Sequence, residues 1–160
     1  MADQDFQNDL TSTEMEAVRG VISRALDASR DADRNGIAAA IVSGDQILEI
    51  AENEVNLQGD PTYHAEMVLI SRVTQKLNRK QLEECTLISS LQPCEMCLSA
   101  MRFAGIGRVI FCAQQANVAE KYFAFPKLTI ADFMKGGEPF TQIGGVMEDQ
   151  VLHLYADGDE

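Results

Sequence analysis

The chain has 160 residues, 46% of them apolar, which is enough for one well-filled core and too short for two sizeable domains. With 25 acidic and 13 basic residues its net charge is −12, which weighs against a broad phosphate-binding surface. No run approaches the roughly 20 apolar residues of a membrane span, and the acidic, polar stretch 1–10 lacks the basic-then-apolar layout of a secretory signal. The expectation is a single domain over 1–160 in the cytoplasm, without membrane contact. Residues about 1–12 and 157–160, which carry Asp3, Asp5, Asp9, Asp157, Asp159 and Glu160, read as solvated tails. Thiols stay reduced in that compartment, so Cys85, Cys94, Cys97 and Cys112 read as core residues or ligands rather than disulfides.

In chain order, Thr13 and Glu16 form a T-x-x-E capping box. Val18, Val21, Ile22 and Ala25 follow at helical spacing, so a helix is predicted over 13 to about 30, ended by Asn35-Gly36. The apolar run 37–42, the turn Ser43-Gly44-Asp45 and the stretch 46–51 predict a hairpin. Residues 53–59 read as polar loop. Asp60-Pro61 then resembles an N-cap with proline at the first helical position, before a stripe of Ala65, Leu69, Val73 and Leu77. Residues 85–90 form a third strand. Pro93 opens a helix with Leu98, Met101 and Ala104 inward, and 108–113 form a fourth strand. Residues 118–125 read as a short helix, 140–143 as a fifth strand, and Met147, Val151, Leu154 and Tyr155 as a last helical stripe. Helices alternating with strands imply an α/β fold, a three-layer sandwich with its sheet covered on both faces.

Two segments carry chemistry: His64-Ala65-Glu66 and Pro93-Cys94-Glu95-Met96-Cys97. A lone histidine near a helix start is more often a cap than a ligand. A lone C-x-x-C fits a redox pair, a zinc corner or two small core residues. Together they are sharper. Both begin predicted helices, each with a proline near its start. Cysteines three apart share a helix face, and the positive helix end favours the thiolate that a metal requires. One histidine and two cysteines make three ligands, and catalytic zinc keeps its fourth position for water. Cys85 and Cys112 sit in predicted strands with apolar neighbours, which favours small buried residues over a fourth ligand. Redox chemistry at Cys94 and Cys97 leaves His64-Ala65-Glu66 unexplained. Glu66, two residues after His64, points elsewhere than the histidine and is free to lie over the open position, where a carboxylate serves as general acid and base.

The H-A-E and P-C-x-x-C pair resembles the cytidine-deaminase-like superfamily, strongly from 36 to 113 and weakly at the ends; the same signature is the general one of zinc deaminases. That resemblance implies an α/β/α sandwich around a five-stranded mixed sheet, a Zn2+ cofactor on His64, Cys94 and Cys97, and a homodimer meeting near the Cys94 helix and Val109. It implies a hydrolytic deaminase, in which zinc-activated hydroxide attacks the amine-bearing carbon and Glu66 shuttles the protons.

The run Asp60-Pro61-Thr62-Tyr63-His64-Ala65-Glu66 is similar to that of guanine deaminases and of tRNA adenosine deaminases, as are Met101 and Gly107-Arg108-Val109. The resemblance implies substrate contacts from Asn53, Ala65 and Asn117. Asn53 has the spacing of the base-holding asparagine of bacterial guanine deaminases, though it also suits a turn. Asn117 stands where those enzymes have an acidic residue, and an amide cannot take a proton as a carboxylate can. Some guanine deaminases have a longer C-terminal segment that closes a partner's site; here the chain ends soon after the predicted last helix. The tRNA enzymes have a V-P-V-G-A-like strand where this chain has Gly36-Ile37-Ala38-Ala39-Ala40, and a basic RNA surface. A free nucleobase or related heterocycle, guanine- or cytosine-like, therefore ranks first as substrate. A tRNA adenosine deaminase, for which Arg102 and Arg108 speak, ranks second, and a non-catalytic zinc module third. Phe123 or Phe125 is expected in the pocket floor, stacked on a planar ring.

Overall fold

The computed structural model describes residues 8–158 and 160; Asp3, Asp5 and Asp159 of the expected tails lie outside them. The elements run α1 (Ser12–Ala28), β1 (Ala38–Ser43), β2 (Gln46–Glu52), α2 (Val55–Gln58), α3 (Ala65–Thr74), α4 (Arg79–Leu82), β3 (Cys85–Leu91), α5 (Glu95–Ala104), β4 (Arg108–Ala113), α6 (Ile130–Lys135), β5 (Thr141–Ile143) and α7 (Leu152–Tyr155). No helix among the described residues is long and apolar enough to cross a membrane.

The strands form one mixed sheet in the order β2-β1-β3-β4-β5. β1 is antiparallel to both β2 and β3, whereas β3, β4 and β5 run parallel. Alternation along the strands builds a core on each face. Ala38, Ala40, Ile88 and Ile110 pack with α1 and α7, while Ala39, Ile41, Leu87 and Val109 pack with α3 and α5. This is the three-layer α/β/α arrangement expected around a five-stranded sheet. The polarity also positions the site. β2 and β3 both oppose β1 and so run the same way, which brings the chain out of each at the same edge. The helices that follow, α3 and α5, begin there.

Several expectations need correction. Two overlapping T-x-x-E boxes exist, and the chain uses the earlier one: Thr11 caps α1 and exchanges hydrogen bonds with Glu14. That register buries Leu10 and aims Glu14 at Arg108, which donates to it from Nε at 2.8 Å. Residues 10–12 are thus part of the fold rather than tail. Asp60 does not start a helix. Its carboxylate accepts from the Thr62 N–H and hydroxyl, closing a local turn, and α3 starts only at Ala65. The loop 53–59 contains α2, closed by Gly59 at φ 61. Residues 118–125 hold no α-helix, only a 3-10 turn at Glu120–Tyr122 after another at Gln115–Asn117, because Pro126 and few buried neighbours leave nothing to sustain one. α4 and α6 were not anticipated.

The Glu14–Arg108 pair ties α1 to β4. Burial raises the Glu14 pKa, but the Arg108 hydrogen bond and the Thr11 N–H outweigh it and hold the carboxyl below its ordinary value of 4.5. A depressed carboxylate pKa contributes stability that is complete above 4.5 and lost as pH falls through the folded value. Glu14→Gln is expected to lower the unfolding free energy by about 1.5–3 kcal/mol at neutral pH. In urea titrations its deficit against wild type should shrink on acidification below the ordinary value.

Candidate active site

His64 and Cys94 are the N-cap residues of α3 and α5, in extended backbone conformation, and neither side chain caps its own helix. Both are therefore free to turn inward. Cys97, one turn into α5, is fully buried. The three donor atoms meet: Cys94 Sγ lies 3.5 Å and Cys97 Sγ 3.7 Å from His64 Nδ1, and the sulfurs are 3.7 Å apart. A tetrahedral zinc ion with bonds of about 2.3 Å to sulfur and 2.0–2.1 Å to nitrogen sets its ligand atoms about 3.5–3.8 Å apart. The edges of this triangle fit that geometry, and the donor set is one that zinc prefers. Among the described residues no other His, Cys, Asp or Glu group gathers so closely. Cys85 and Cys112 lie in the two sheet cores instead.

The thiols are unequal. The hydrogen bond with Cys97, and then the His64 imidazole, hold Cys94 down to about 4 against the cost of burial. The same sulfur–sulfur bond, and burial, push Cys97 up, so the pair shares one ready thiolate. Burial, and then the Glu148 charge, lift Cys112 to about 12, which keeps it an inert core thiol. The Cys94 contact also raises the pKa of His64.

Glu66 sits in the first turn of α3 with only 3% of its surface exposed. Its Oε1 accepts a 2.7 Å hydrogen bond from the Ser89 hydroxyl, and its Oε2 lies 3.5 Å from Cys97 Sγ. Burial, followed by the Cys94 charge, raises its pKa, opposed by Ser89. Glu66, His64, Cys94 and Asn53 line a cavity of about 250 Å³ with Ile37, Leu91, Gln92, Lys121, Tyr122 and Glu160. The Asn53 Oδ1 is taken by the Val55 N–H and the Asn35 amide, so only its amide N–H2 group remains for the cavity.

Ala65 is buried in the core under α3. Asn117 is exposed and donates to Glu148 Oε1 at 3.0 Å, outside the cavity lining. Phe123 packs against Cys94 and Cys97 as an apolar backing. Phe125, 61% exposed, borders a second, outer hollow that shares His64, Cys94, Lys121 and Tyr122 with the inner one. Sequence reasoning missed Ser89, Gln92, Glu95, Lys121, Tyr122 and Glu160. Buried Glu95 accepts the Phe125 N–H at 2.9 Å and so holds the 119–125 segment over the sulfurs. Across the cavity mouth, Glu160 pairs with Lys121 at 3.3 Å and accepts from the Tyr122 hydroxyl, which ties down the expected C-terminal tail. For Ser89 a signal existed: two serines inside a wholly buried strand must find partners.

Residues 12–113 match the cytidine and deoxycytidylate deaminase zinc-binding region. A tRNA-specific adenosine deaminase of Aquifex aeolicus (strain VF5) is 43% identical over 77 residues, 48% of this chain and 51% of that protein. The chain thus spans about half the length of that relative. A probable cytosine deaminase of Schizosaccharomyces pombe is 32% identical over 131 residues, covering 78% of this chain and 79% of that protein. A solved structure of guanine deaminase from Nitrosomonas europaea shares the fold, with a TM-score of 0.68 at 21% identity, over 89% of this chain and 80% of the other. By the extent of the family match and of the cytosine-deaminase likeness, the chain belongs to the cytidine and deoxycytidylate deaminase zinc-binding family.

Proposed function

We propose that the protein is a zinc-dependent hydrolytic deaminase of a free nucleobase or related amino-heterocycle, guanine- or cytosine-like. The observation that carries this reading is the buried Glu66 carboxylate, which borders the same small cavity as the donors His64 and Cys94. When bound to His64, Cys94 and Cys97, zinc lowers the pKa of water and supplies a nucleophile near neutral pH. Glu66 takes the first proton of the attacking water and delivers it to the ring nitrogen beside the amine-bearing carbon. It then moves the second proton, from the new hydroxyl, to the amine. Ammonia leaves and a carbonyl remains. The raised pKa of Glu66 suits a group that must accept and release protons in turn. Asn53 offers an N–H2 donor to a ring carbonyl or nitrogen.

The cavity of about 250 Å³ favours a small substrate; sites for drug-sized ligands are about 300–1,000 Å³. Its mouth cation, Lys121, is already paired with Glu160. The two arginines that spoke for RNA are also engaged, Arg102 with the Ile106 carbonyl and Glu138, and Arg108 with Glu14 and the Asp9 carbonyl. The alternative, a tRNA adenosine deaminase, draws support from the Aquifex relative. Homodimerisation through the face of α5 is supported by Phe103, 86% exposed, beside an apolar groove lined by Leu128, Phe133 and Phe140.

The zinc-loaded protein should release ammonia from one member of a panel of guanine, cytosine, adenine, isocytosine and an aminotriazine. Glu66→Ala should cut that rate by about 100- to 10,000-fold while zinc per chain, read by atomic absorption, is unchanged; full activity in this variant would remove Glu66 from the chemistry. Chelation should abolish turnover and lower the melting temperature, with zinc restoring both. Silence on every base, together with salt-sensitive binding of an anticodon stem-loop, would shift the assignment to RNA. Light scattering should give twice the chain mass, and Phe103→Glu should return it to one.

A further inference from the structure

We propose that Ser89 is a positioning residue that fixes the orientation of the Glu66 carboxyl group, holding Oε1 against the strand and leaving Oε2 turned to the donor cluster. This rests on the deaminase reading above. Ser89 is fully buried in the central strand β3 and stands opposite Ala39 in the register with β1. Its hydroxyl donates to Glu66 Oε1 at 2.7 Å, across 23 residues of sequence. The other carboxylate oxygen, Oε2, is the one turned to the donor cluster, 3.5 Å from Cys97 Sγ.

A carboxyl group turns about its Cγ–Cδ bond unless one of its oxygens is held. With Ser89 on Oε1, Oε2 stays on the side of the donors, where it accepts from Cys97 Sγ at 3.5 Å. The bond also survives the cycle. When Oε2 is protonated, Oε1 becomes the carbonyl oxygen of the acid and still accepts from Ser89. A lysine or arginine in this place would favour only the ionised form, and an apolar residue would leave the carboxyl group free to rotate. Ser90, the next residue, points to the opposite face, where its hydroxyl donates to that of Tyr155 at 2.8 Å and accepts from the Ala38 N–H at 3.1 Å. The two serines therefore have separate duties, and only Ser89 reaches the site.

The test pairs Ser89→Ala with Ser89→Thr, which keeps the hydroxyl, in the zinc-loaded full chain. Ser89→Ala should lower kcat by about 10- to 100-fold, the scale of a misplaced reacting group, with KM, zinc content and melting temperature near wild type. Ser89→Thr should recover most of kcat. A high-resolution structure of zinc-loaded Ser89→Ala should show the Glu66 carboxyl in more than one rotamer. Wild-type kcat in Ser89→Ala, a loss that follows zinc release or unfolding, or one unchanged Glu66 rotamer would each overturn the proposal. If wild type turns over none of the bases, the functional reading fails by itself. The Glu66 rotamer in the Ser89→Ala structure then still decides whether Ser89 positions it.

Discussion

Three donor atoms 3.5–3.7 Å apart, drawn from two helices, require both helices to begin at one point. The sheet supplies that point through strand direction. β2 and β3, which flank β1 and oppose it, release the chain at the same edge, and His64 and Cys94 then serve as the residues at which backbone turns from extended to helical. The N-cap position does two things at once. It leaves each side chain outside its own helix, free to face its counterpart, and it aims the positive ends of two helices at a site where negative thiolate charge collects. The small alanines Ala38, Ala39 and Ala40 of β1 line both faces of the strand between the flanking helices.

Around that point the polar groups are arranged in depth. The innermost is Glu66, which burial alone would disfavour as an anion. Its carboxylate is hydrogen-bonded from the strand below and borders the cavity on the other side. Farther out, the segment between β4 and α6 acts as a wall held from behind. Gln92 accepts the Gln115 N–H at 2.9 Å, Glu95 accepts that of Phe125, and the Ala119 N–H reaches the Tyr155 carbonyl at 3.0 Å. The edge-on contact of Tyr122 with Tyr155, rings 5.8 Å apart, continues the same support. A segment with little regular structure thus keeps a defined position, because side chains of the core anchor its backbone.

The strands and the donor set were legible in the sequence because their signals are local. The fourth strand, 108–113, coincides with β4, and the apolar run after Asn35-Gly36, followed by the turn Ser43-Gly44-Asp45, placed the hairpin. His64, Cys94 and Cys97 were legible because metal-binding residue types at fixed spacing are rare by chance. Where local signals were duplicated, tertiary contacts decided. Thr11–Glu14 prevailed over Thr13–Glu16 because only the former gives a carboxylate to Arg108, 94 residues away. Asp60-Pro61 carried a helix-start signal, yet a side-chain turn at Thr62 satisfied the aspartate first, which left the start to His64. The cavity wall was the least legible part. Lys121, Tyr122 and Glu160 are ordinary surface types in the sequence, and only the path of the chain gathers them.

Tyr155 is fully buried, and its hydroxyl donates to the Gly36 carbonyl, 119 residues earlier, and accepts from the Ser90 hydroxyl. This contact has a kinetic meaning. Pairings so distant in sequence carry a large loop-closure cost and slow folding relative to helical proteins of similar size. During synthesis α1, β1, β2 and β3 are all available well before Tyr155 emerges, but the face of the sheet that α1 covers in part is completed only when it does. For that interval the paired sulfurs are present on the chain before the wall over them is braced, so the order of synthesis exposes reactive thiols to oxidants or to a competing metal ion.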